Sequence, residues 1–260
     1  MRLEVLISCM HQKDASIIQR TNIQSDVLIV NQCNENREER FDFKNKKGEL
    51  CIARMIYTAE RGLSRSRNMA LRNAKGDICL ICDDDEILED DYVEKIIGSF
   101  EKYHAEDIIA FSLKHPKKQY SSVTYAIGYF RSARISSIQI ALRKTDLINR
   151  VNFCEKMGSG TGNGGGEENK FLVDCLRYGA KIRYVPLLIA SVAQTESQWF
   201  HGYDRQYWMN RGWMAKMIYG IIIGYGYLWY TLLLRSYKVD RVNSWIKQYF
   251  WIHKGFIENR

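Results

Sequence analysis

Residues 75–93 read KGDICLICDDDEILEDDYV and carry more information about architecture than any other stretch of the chain. The apolar run 78–82 has the length and composition of a buried strand, and four consecutive acids follow it directly. Carboxylates this close repel one another unless a cation or full solvation compensates them. If the backbone stays extended, Asp83 and Asp85 point the same way and can hold one Mg²⁺ or Mn²⁺ together with phosphate oxygens. The alternative is a solvated acidic turn before a helix.

Further apolar runs and helical patterns alternate on both sides of this stretch. The predicted strands are residues 3–8, 27–31, 78–82, 108–111, 138–142 and 181–185. The predicted helices are residues 63–72, 90–103 and 169–178. Alternation of strands and helices in the first hundred residues predicts an α/β fold, with a mainly parallel sheet flanked by helices. Ligands of such sheets bind beyond the carboxyl ends of the strands.

Composition restricts the cellular compartment and the role of the cysteines. The 260 residues contain two prolines and no low-complexity linker, which favours one catalytic domain with a helical appendage. Seven cysteines form no disulfide framework, and residues 1–15 do not resemble a signal peptide, so we expect reduced thiols and a start in the cytosol. Cys79 and Cys82 form a C-x-x-C inside the apolar strand, which predicts core residues on opposite faces rather than a zinc or redox pair.

Residues 60–93, ERGLSRSRNMALRNAKGDICLICDDDEILEDDYV, resemble the nucleotide-sugar core of family 2 glycosyltransferases, which have the GT-A fold. In that family, a G-x-S-x-x-R-N-x-A helix precedes a strand that ends in a D-x-D motif. The resemblance implies that Asp83 approaches the ribose and the metal, and that Asp85 ligates a metal bridging the diphosphate. The residues that it places at the nucleotide are Arg67, Asn68, Asp83 and Asp84. A solvated helix arginine is the alternative for Arg67.

Two earlier strand ends fit the same resemblance. Ser8 falls where the first loop of the family passes the base and ribose. Asn31 stands where the family usually carries an aspartate that meets the base, and an amide can still exchange hydrogen bonds with a uracil edge. Both residues are also common turn formers.

A glycine-rich segment precedes an acid pair at residues 158–168. It lacks the lysine of a P-loop, so phosphate binding by the loop alone is weakly supported. The resembled family has G-E-D here, and the second acid is its general base. The resemblance therefore implies that Glu168 removes the proton of the acceptor hydroxyl, with Glu167 as a supporting or acceptor-binding partner. Alternatively, both acids only favour a helix N-terminus.

The C-terminal quarter combines apolar stretches with positive charge. Residues 217–234 contain no charged side chain, and the length of this segment is near the lower limit for a transmembrane helix. Basic residues flank it at both ends, whereas a spanning helix would show an asymmetry of charge. Residues 242–258 interleave aromatic side chains with lysine, as interfacial helices do. From residue 199 to 260 there are nine Lys or Arg and three Asp or Glu. We predict helices that lie on or dip into the cytoplasmic face of a membrane, in preference to one span. An oligomer interface is a third possibility, and the long aliphatic stretches argue against nucleic acid as a partner.

Residues 196–214, ESQWFHGYDRQYWMNRGWM, resemble a segment of family members from capsule and O-antigen pathways. The resemblance implies His201 as a weak candidate metal ligand. It also makes Arg211 a candidate for contacting a diphosphate or a lipid phosphate. The alternative is that His201 is an ordinary loop histidine and Arg211 a lipid headgroup contact.

Together these features predict a GT-A glycosyltransferase domain at residues 1–198 and a helical, membrane-associated region at 199–260. The expected reaction is inverting transfer of a sugar from a nucleotide-diphosphate donor, with UDP as the expected nucleotide, to a lipid-linked saccharide in surface polysaccharide biosynthesis. The expected cofactor is Mn²⁺ or Mg²⁺. One alternative, a sugar nucleotidyltransferase, needs a glycine-rich phosphate loop near the first strand, which residues 6–14 lack. The other is a non-catalytic membrane adaptor.

Overall fold

A computed structural model of the chain describes residues 1–163, 165–192, 202–235 and 245–258. The strands are β1 Leu3–Met10, β2 Asp26–Gln32, β3 Arg37–Lys44, β4 Leu50–Thr58, β5 Ile78–Asp83, β6 Glu86–Leu88, β7 Ile108–Lys114, β8 Tyr125–Ala126, β9 Ile140–Arg143 and β10 Ile182–Val192. The helices are α1 Ile17–Arg20, α2 Leu63–Asn73, α3 Tyr92–Lys102, α4 Tyr129–Ser132, α5 Asp146–Asn149, α6 Glu167–Arg177, α7 Arg205–Arg235 and α8 Trp245–Ile257.

All ten strands form one sheet in the order β3-β4-β2-β1-β5-β9-β7-β10-β6, and β8 pairs with β10. The run β4-β2-β1-β5 is parallel throughout, and β7 is parallel to β10. Strand β9 is antiparallel to both of its neighbours, and β3, β6 and β8 pair antiparallel. The predicted α/β class is confirmed, but the sheet is mixed and not mainly parallel, since five of the nine strand pairs in the described residues are antiparallel. The short turn between β3 and β4 permits only an antiparallel pair, because a parallel connection needs a crossover.

Strand β5 lies at the centre of this sheet and is buried on both faces. Ile78, Leu80 and Cys82 pack into the hydrophobic cluster on one face, whereas Cys79 and Ile81 pack into the cluster on the other. Burial raises the pKa of the Cys79 thiol to about 12. The two cysteines are therefore core residues on opposite faces, as the strand period predicts.

Six strands and three helices were expected from the sequence, and each is present with shifted ends. The segment 138–142 begins as a 3-10 turn at Ser137–Gln139 before β9 starts. Strands β3, β4, β6 and β8 are additions that the hydrophobic pattern did not reveal. Strand β3 is an edge strand of mainly exposed, charged residues, REERFDFK, so it has no apolar run to detect.

The C-terminal region is a small helical bundle. Helix α7 is interrupted at Gly220, whose φ of 76° is not helical, so residues 205–219 and 221–235 form a hairpin. At Gly224 an added Cβ would lie 2.9 Å from the carbonyl oxygen of Ala215, so the two halves pack backbone to backbone. The predicted uncharged run 217–234 thus crosses the hairpin turn. Among the residues that the structure describes, no helix is long and apolar enough to cross a bilayer. The predicted domain boundary at residue 198 lies outside the described residues.

Helix α8 packs on α7 through two glycines. A Cβ on Gly212 would lie 1.9 Å from the carbonyl oxygen of Ile252, and one on Gly255 would lie 2.0 Å from that of Met209. We expect Gly212→Ala to lower the free energy of unfolding by at least about 1–3 kcal/mol, because overpacking forces the helices apart. Gly226→Ala is the matched control, since its Cβ would meet nothing within 4 Å. Thermal unfolding of both variants checks this, and equal midpoints would contradict the packing described here.

Candidate active site

The carboxyl ends of the central parallel strands form one side of the site. Asp83 ends β5 and lies beside Ser8 of β1 in the parallel register. The alternation of the strands places both on the sheet face that α2 and α6 cover. Ser8 is buried, and its hydroxyl has no hydrogen-bond partner among the described residues. The side chain of Asp83 remains 29% exposed. The ends of β1 and β5 therefore present a buried hydroxyl and an accessible carboxylate side by side.

Arg67 joins this strand end to the start of α6. It lies on the buried face of α2, and its side chain is 3% exposed. Its guanidinium donates to Glu167 Oε1 at 3.0 Å, to Asp83 Oδ1 at 2.9 Å and to Ser137 Oγ at 2.9 Å. Burial alone would lower the pKa of Arg67, but the charges of Asp83, Glu167 and Glu168 raise it above its ordinary value. The predicted site residues of α2, β5 and α6 thus share one ion-pair network.

Glu168 lies beside this network in the first turn of α6. Its side chain is partly buried, and burial together with the neighbouring charge of Glu167 raises its pKa to about 8, although Arg67 acts in the opposite direction. A carboxyl group with a pKa near the working pH is suited to general base catalysis. Glu167 is buried, with one oxygen on Arg67 and the other without a partner in the described part of the chain. The two acids therefore differ in their surroundings: Glu167 is bonded to Arg67, whereas Glu168 has the raised pKa.

A cleft of about 650 Å³ brings these groups together. Its walls are the end of β5, the start of α2, the glycine-rich segment, the first turn of α6 and the first turns of α7. Gly158 has a φ of 93°, and an added Cβ would lie 3.0 Å from the carboxyl carbon of Glu167. Only glycine allows this approach without strain. The lining residues that carry charge are Arg67, Asp83, Glu167, Glu168, Asp204 and Arg211.

The acidic turn after β5 leaves its carboxylates without a matching set of cations. Asp84 accepts a hydrogen bond from Gln12 Nε2 at 3.2 Å, and Asp85 is exposed. Partial burial of the carboxyl groups raises the pKa of both Asp84 and Asp85, and the neighbouring acids raise each pKa further. Within the described ranges, Asp85 has no cationic partner, and no group of three or more His, Cys, Asp or Glu has the geometry of a metal site. Asp83 lines the cleft, whereas Asp84 and Asp85 are not among its lining residues.

The side chains of Asn31 and Asn68 each bind the backbone of a distant loop. Asn31 is buried, and its amide closes on the backbone of Gln12, accepting from the N–H at 3.0 Å and donating to the carbonyl at 2.8 Å. Asn68 makes the same pair of bonds with the backbone of Phe153, at 2.7 and 2.9 Å. Both side chains therefore hold loops in place, as buried amides must be satisfied. Their contact with a nucleotide stays a prediction.

Three polar side chains that support these groups were not predicted from the sequence. The side chain of Gln32 accepts a hydrogen bond from the N–H of Gly62 at 2.7 Å and so supports the start of α2. The hydroxyl of Ser137 accepts a hydrogen bond from Arg67. Glu86 is buried behind Asp83 and accepts its N–H at 3.4 Å. Burial and the charge of Asp83 raise the pKa of Glu86 well above its ordinary value. The strand period was the available signal for Gln32, since it shares the face of Ser8 whereas Asn31 faces away. His201 lies outside the described residues.

Comparison with known proteins identifies the family and the fold of this chain. The family model described as glycosyl transferase family 2 matches residues 10–154, which is more than half of the chain. No curated protein matches. Among solved structures, S. aureus TarS 1–349 is 13% identical with a TM-score of 0.60, and the match covers 99% of this chain and 81% of that one. The same protein in complex with UDP-GlcNAc is 14% identical with a TM-score of 0.61, covering 94% and 74%.

A second solved relative is the mannosyltransferase PcManGT from Pyrobaculum calidifontis, in complex with GDP-Man and Mn²⁺. It is 14% identical with a TM-score of 0.53, and the match covers 98% of this chain and 85% of that one. At these identities the likeness shows the fold, which is that of the GT-A glycosyltransferases. The chain belongs to glycosyltransferase family 2. The predicted family, fold class and enzyme class are confirmed.

Proposed function

We propose that this glycosyltransferase transfers a sugar from a UDP-linked donor, with inversion, to a lipid-linked saccharide used in surface polysaccharide biosynthesis. One observation carries the proposal. A single cleft contains Asp83 at the end of β5, and Arg67 connects that carboxylate to the acid pair that begins α6. Donor chemistry and acceptor deprotonation thus meet in one place. The solved relatives support the donor class, since one is a complex with UDP-GlcNAc and another with GDP-Man.

The carboxylates of the acidic turn fit a hard divalent cation. Asp83 is accessible from the cleft, and Asp85 has no cationic partner among the described residues. Burial first, and then the charges of neighbouring acids, raise the pKa of the Asp84 and Asp85 carboxyls, and a cation would relieve that repulsion. Two carboxylates leave coordination positions for diphosphate oxygens and water, as Mg²⁺ and Mn²⁺ require. A bound Mn²⁺ or Mg²⁺ there would neutralise charge that develops on the departing diphosphate.

Glu168 is the proposed general base. Its deprotonated carboxylate would accept the proton of the acceptor hydroxyl as that oxygen attacks the anomeric carbon. The bond from that carbon to the diphosphate breaks on the opposite face, so one displacement inverts the configuration. The buried ion pair between Arg67 and Glu167 joins α2 to α6 and so fixes the position of one helix relative to the other at the cleft. Ser8 remains a proposed nucleotide contact, since its buried hydroxyl is unpaired beside Asp83.

The proposed acceptor is amphiphilic, so we place the enzyme on the cytoplasmic face of a membrane. Exposed apolar side chains on the second half of α7 and on α8 support this location, among them Trp229, Leu233 and Phe250. Lys247 and Lys254 accompany them on α8. An apolar face with basic residues is typical of helices that lie in a membrane interface. Arg211 lines the cleft at the start of the same helices and is the proposed contact for an anionic group of the acceptor.

Calorimetry with UDP tests the donor site directly. We expect UDP to bind in the presence of Mn²⁺ and to bind far more weakly without it. Asp85→Ala should weaken the Mn²⁺-dependent binding by at least about tenfold, since loss of a group that supports a metal site costs about 10–100-fold in affinity. Asp91→Ala is the matched control, because Asp91 belongs to the same acidic segment but pairs with Lys95 on the surface. Equal binding with and without Mn²⁺ would contradict the proposed metal dependence.

A further inference from the structure

Two exposed apolar features lie near the turn of the C-terminal hairpin. The hairpin tip, residues 220–223, presents three consecutive isoleucines, of which Ile222 is 88% exposed. The aromatic corner, Tyr129 and Phe130, belongs to the catalytic domain, and Phe130 is 64% exposed. Single exposed apolar residues are ordinary on soluble proteins, but clusters of this kind mark interaction sites.

Tyr219 connects the two features. Its ring lies 6.1 Å from that of Phe130 between centroids, and its hydroxyl donates to the carbonyl oxygen of Tyr129 at 3.4 Å. Gly220 and the isoleucines follow it immediately in the chain. The hairpin tip and the aromatic corner therefore form one surface, which we call the apolar lip.

The directions of the isoleucines indicate what covers the lip. Consecutive helical residues project about 100° apart, so Ile221, Ile222 and Ile223 cannot all face one flat partner surface. A fluid hydrocarbon layer can surround them, whereas a folded partner would need a deep matching socket.

The charge around the lip fits an anionic membrane. Arg131 and Arg134 follow the corner directly, and both are exposed. Basic residues beside inserted apolar side chains strengthen binding to anionic lipids.

We propose that the apolar lip inserts into an anionic bilayer and fixes the height of the catalytic cleft above the lipid surface. The inference rests on the proposed function and adds a membrane contact made by the catalytic domain itself. The aromatic corner begins α4, and the carbonyl oxygens of Ser132 and Ile135 accept from Asn169 Nδ2 at 2.8 and 2.9 Å. Asn169 follows Glu168 in α6. The lip is thus tied through α4 to the turn that carries the proposed base, which sets the base at a defined distance from a lipid-linked acceptor.

Co-sedimentation of the full chain with vesicles tests the lip. We expect binding to phosphatidylglycerol-containing vesicles and weaker binding to pure phosphatidylcholine. Phe130→Ser and Ile222→Ser should each lower the partition coefficient by about tenfold, and the double variant by about a hundredfold, because the two side chains enter the same layer independently. Phe130→Trp should retain binding. Leu50→Ser is the matched control, since Leu50 is 68% exposed but belongs to β4, next to the edge of the sheet.

The possible results separate this inference from the proposed function. Thermal unfolding of each variant shows whether it is folded, and folded Phe130→Ser that binds vesicles as the parent does would overturn the inference. So would an equal loss in Leu50→Ser, or a parent chain that forms dimers through this surface and ignores vesicles. Donor hydrolysis measured without vesicles tests the glycosyl transfer chemistry by itself. If the enzyme hydrolyses donor but fails to bind vesicles, the proposed membrane contact is wrong and the proposed donor site stands.

Discussion

Glu168→Gln should lower the rate of Mn²⁺-dependent hydrolysis of a UDP-sugar by about 10²–10⁴-fold, the usual contribution of a general base. The amide nearly preserves the size of the side chain but cannot accept the proton. In the parent the pKa of Glu168 is raised to about 8 by burial and by Glu167. A base must be deprotonated to act, so the parental rate should rise with pH and level off above about pH 8. The variant should lose this rise.

Asp174→Asn is the control for this experiment. Asp174 lies on the same helix but pairs with Lys170 and Arg177, away from the cleft residues. Its rate should stay close to that of the parent. The assignment of Glu168 fails if Glu168→Gln hydrolyses donor as fast as the parent does, or if it keeps the parental pH profile.

Stability should report the same titration with the opposite trend. The folded state binds the proton of Glu168 more tightly than the unfolded state, whose ordinary pKa is 4.5. The parent should therefore lose stability as pH rises from 4.5 and should lose no more from this group above about 8. Glu168→Gln should show a smaller decline across that window in denaturant unfolding.

Arg67→Met should be among the most destabilising single substitutions on the chain. It leaves the buried Glu167 without a counter-charge and removes a partner of Asp83. Removing one member of a buried ion pair costs about 3–5 kcal/mol. For a domain of this size, that corresponds to a fall in the thermal midpoint of about 10 °C. Thermal unfolding followed by circular dichroism measures it.

The neighbouring residue Arg65 provides the comparison. Arg65 lies on the same helix as Arg67, and Arg65→Met removes an exposed ion pair with Glu155. Such surface pairs contribute about 0–1 kcal/mol, so the midpoint should barely move. A double variant Arg67→Met with Glu167→Gln should recover part of the lost stability, because the stranded charge is gone. Equal midpoints for the two single arginine variants would show that the network around Arg67 does not stabilise the fold.

Local pattern alone was sufficient for the central architecture. The buried strand 78–82, the acids that follow it and the helix motif at residues 62–70 are contiguous in the chain, so the sequence contained both the α/β class and the family. Cys79 and Cys82 could be assigned to the core because the strand period is fixed by the backbone. The acid pair that begins α6 was visible in the sequence as a helix start that follows glycines.

Only the tertiary structure decided how these pieces meet. Arg67 and Glu167 are 100 positions apart, and no local rule predicts that they pair. The partners of the Asn31 and Asn68 amides, Gln12 and Phe153, come from distant loops, so no local pattern could predict these bonds. Strand β3 lacked an apolar run, and the hairpin at Gly220 followed from packing at Gly224. Sequence periodicity records which face of an element is buried, whereas pairing between distant side chains depends on the packing of the whole chain.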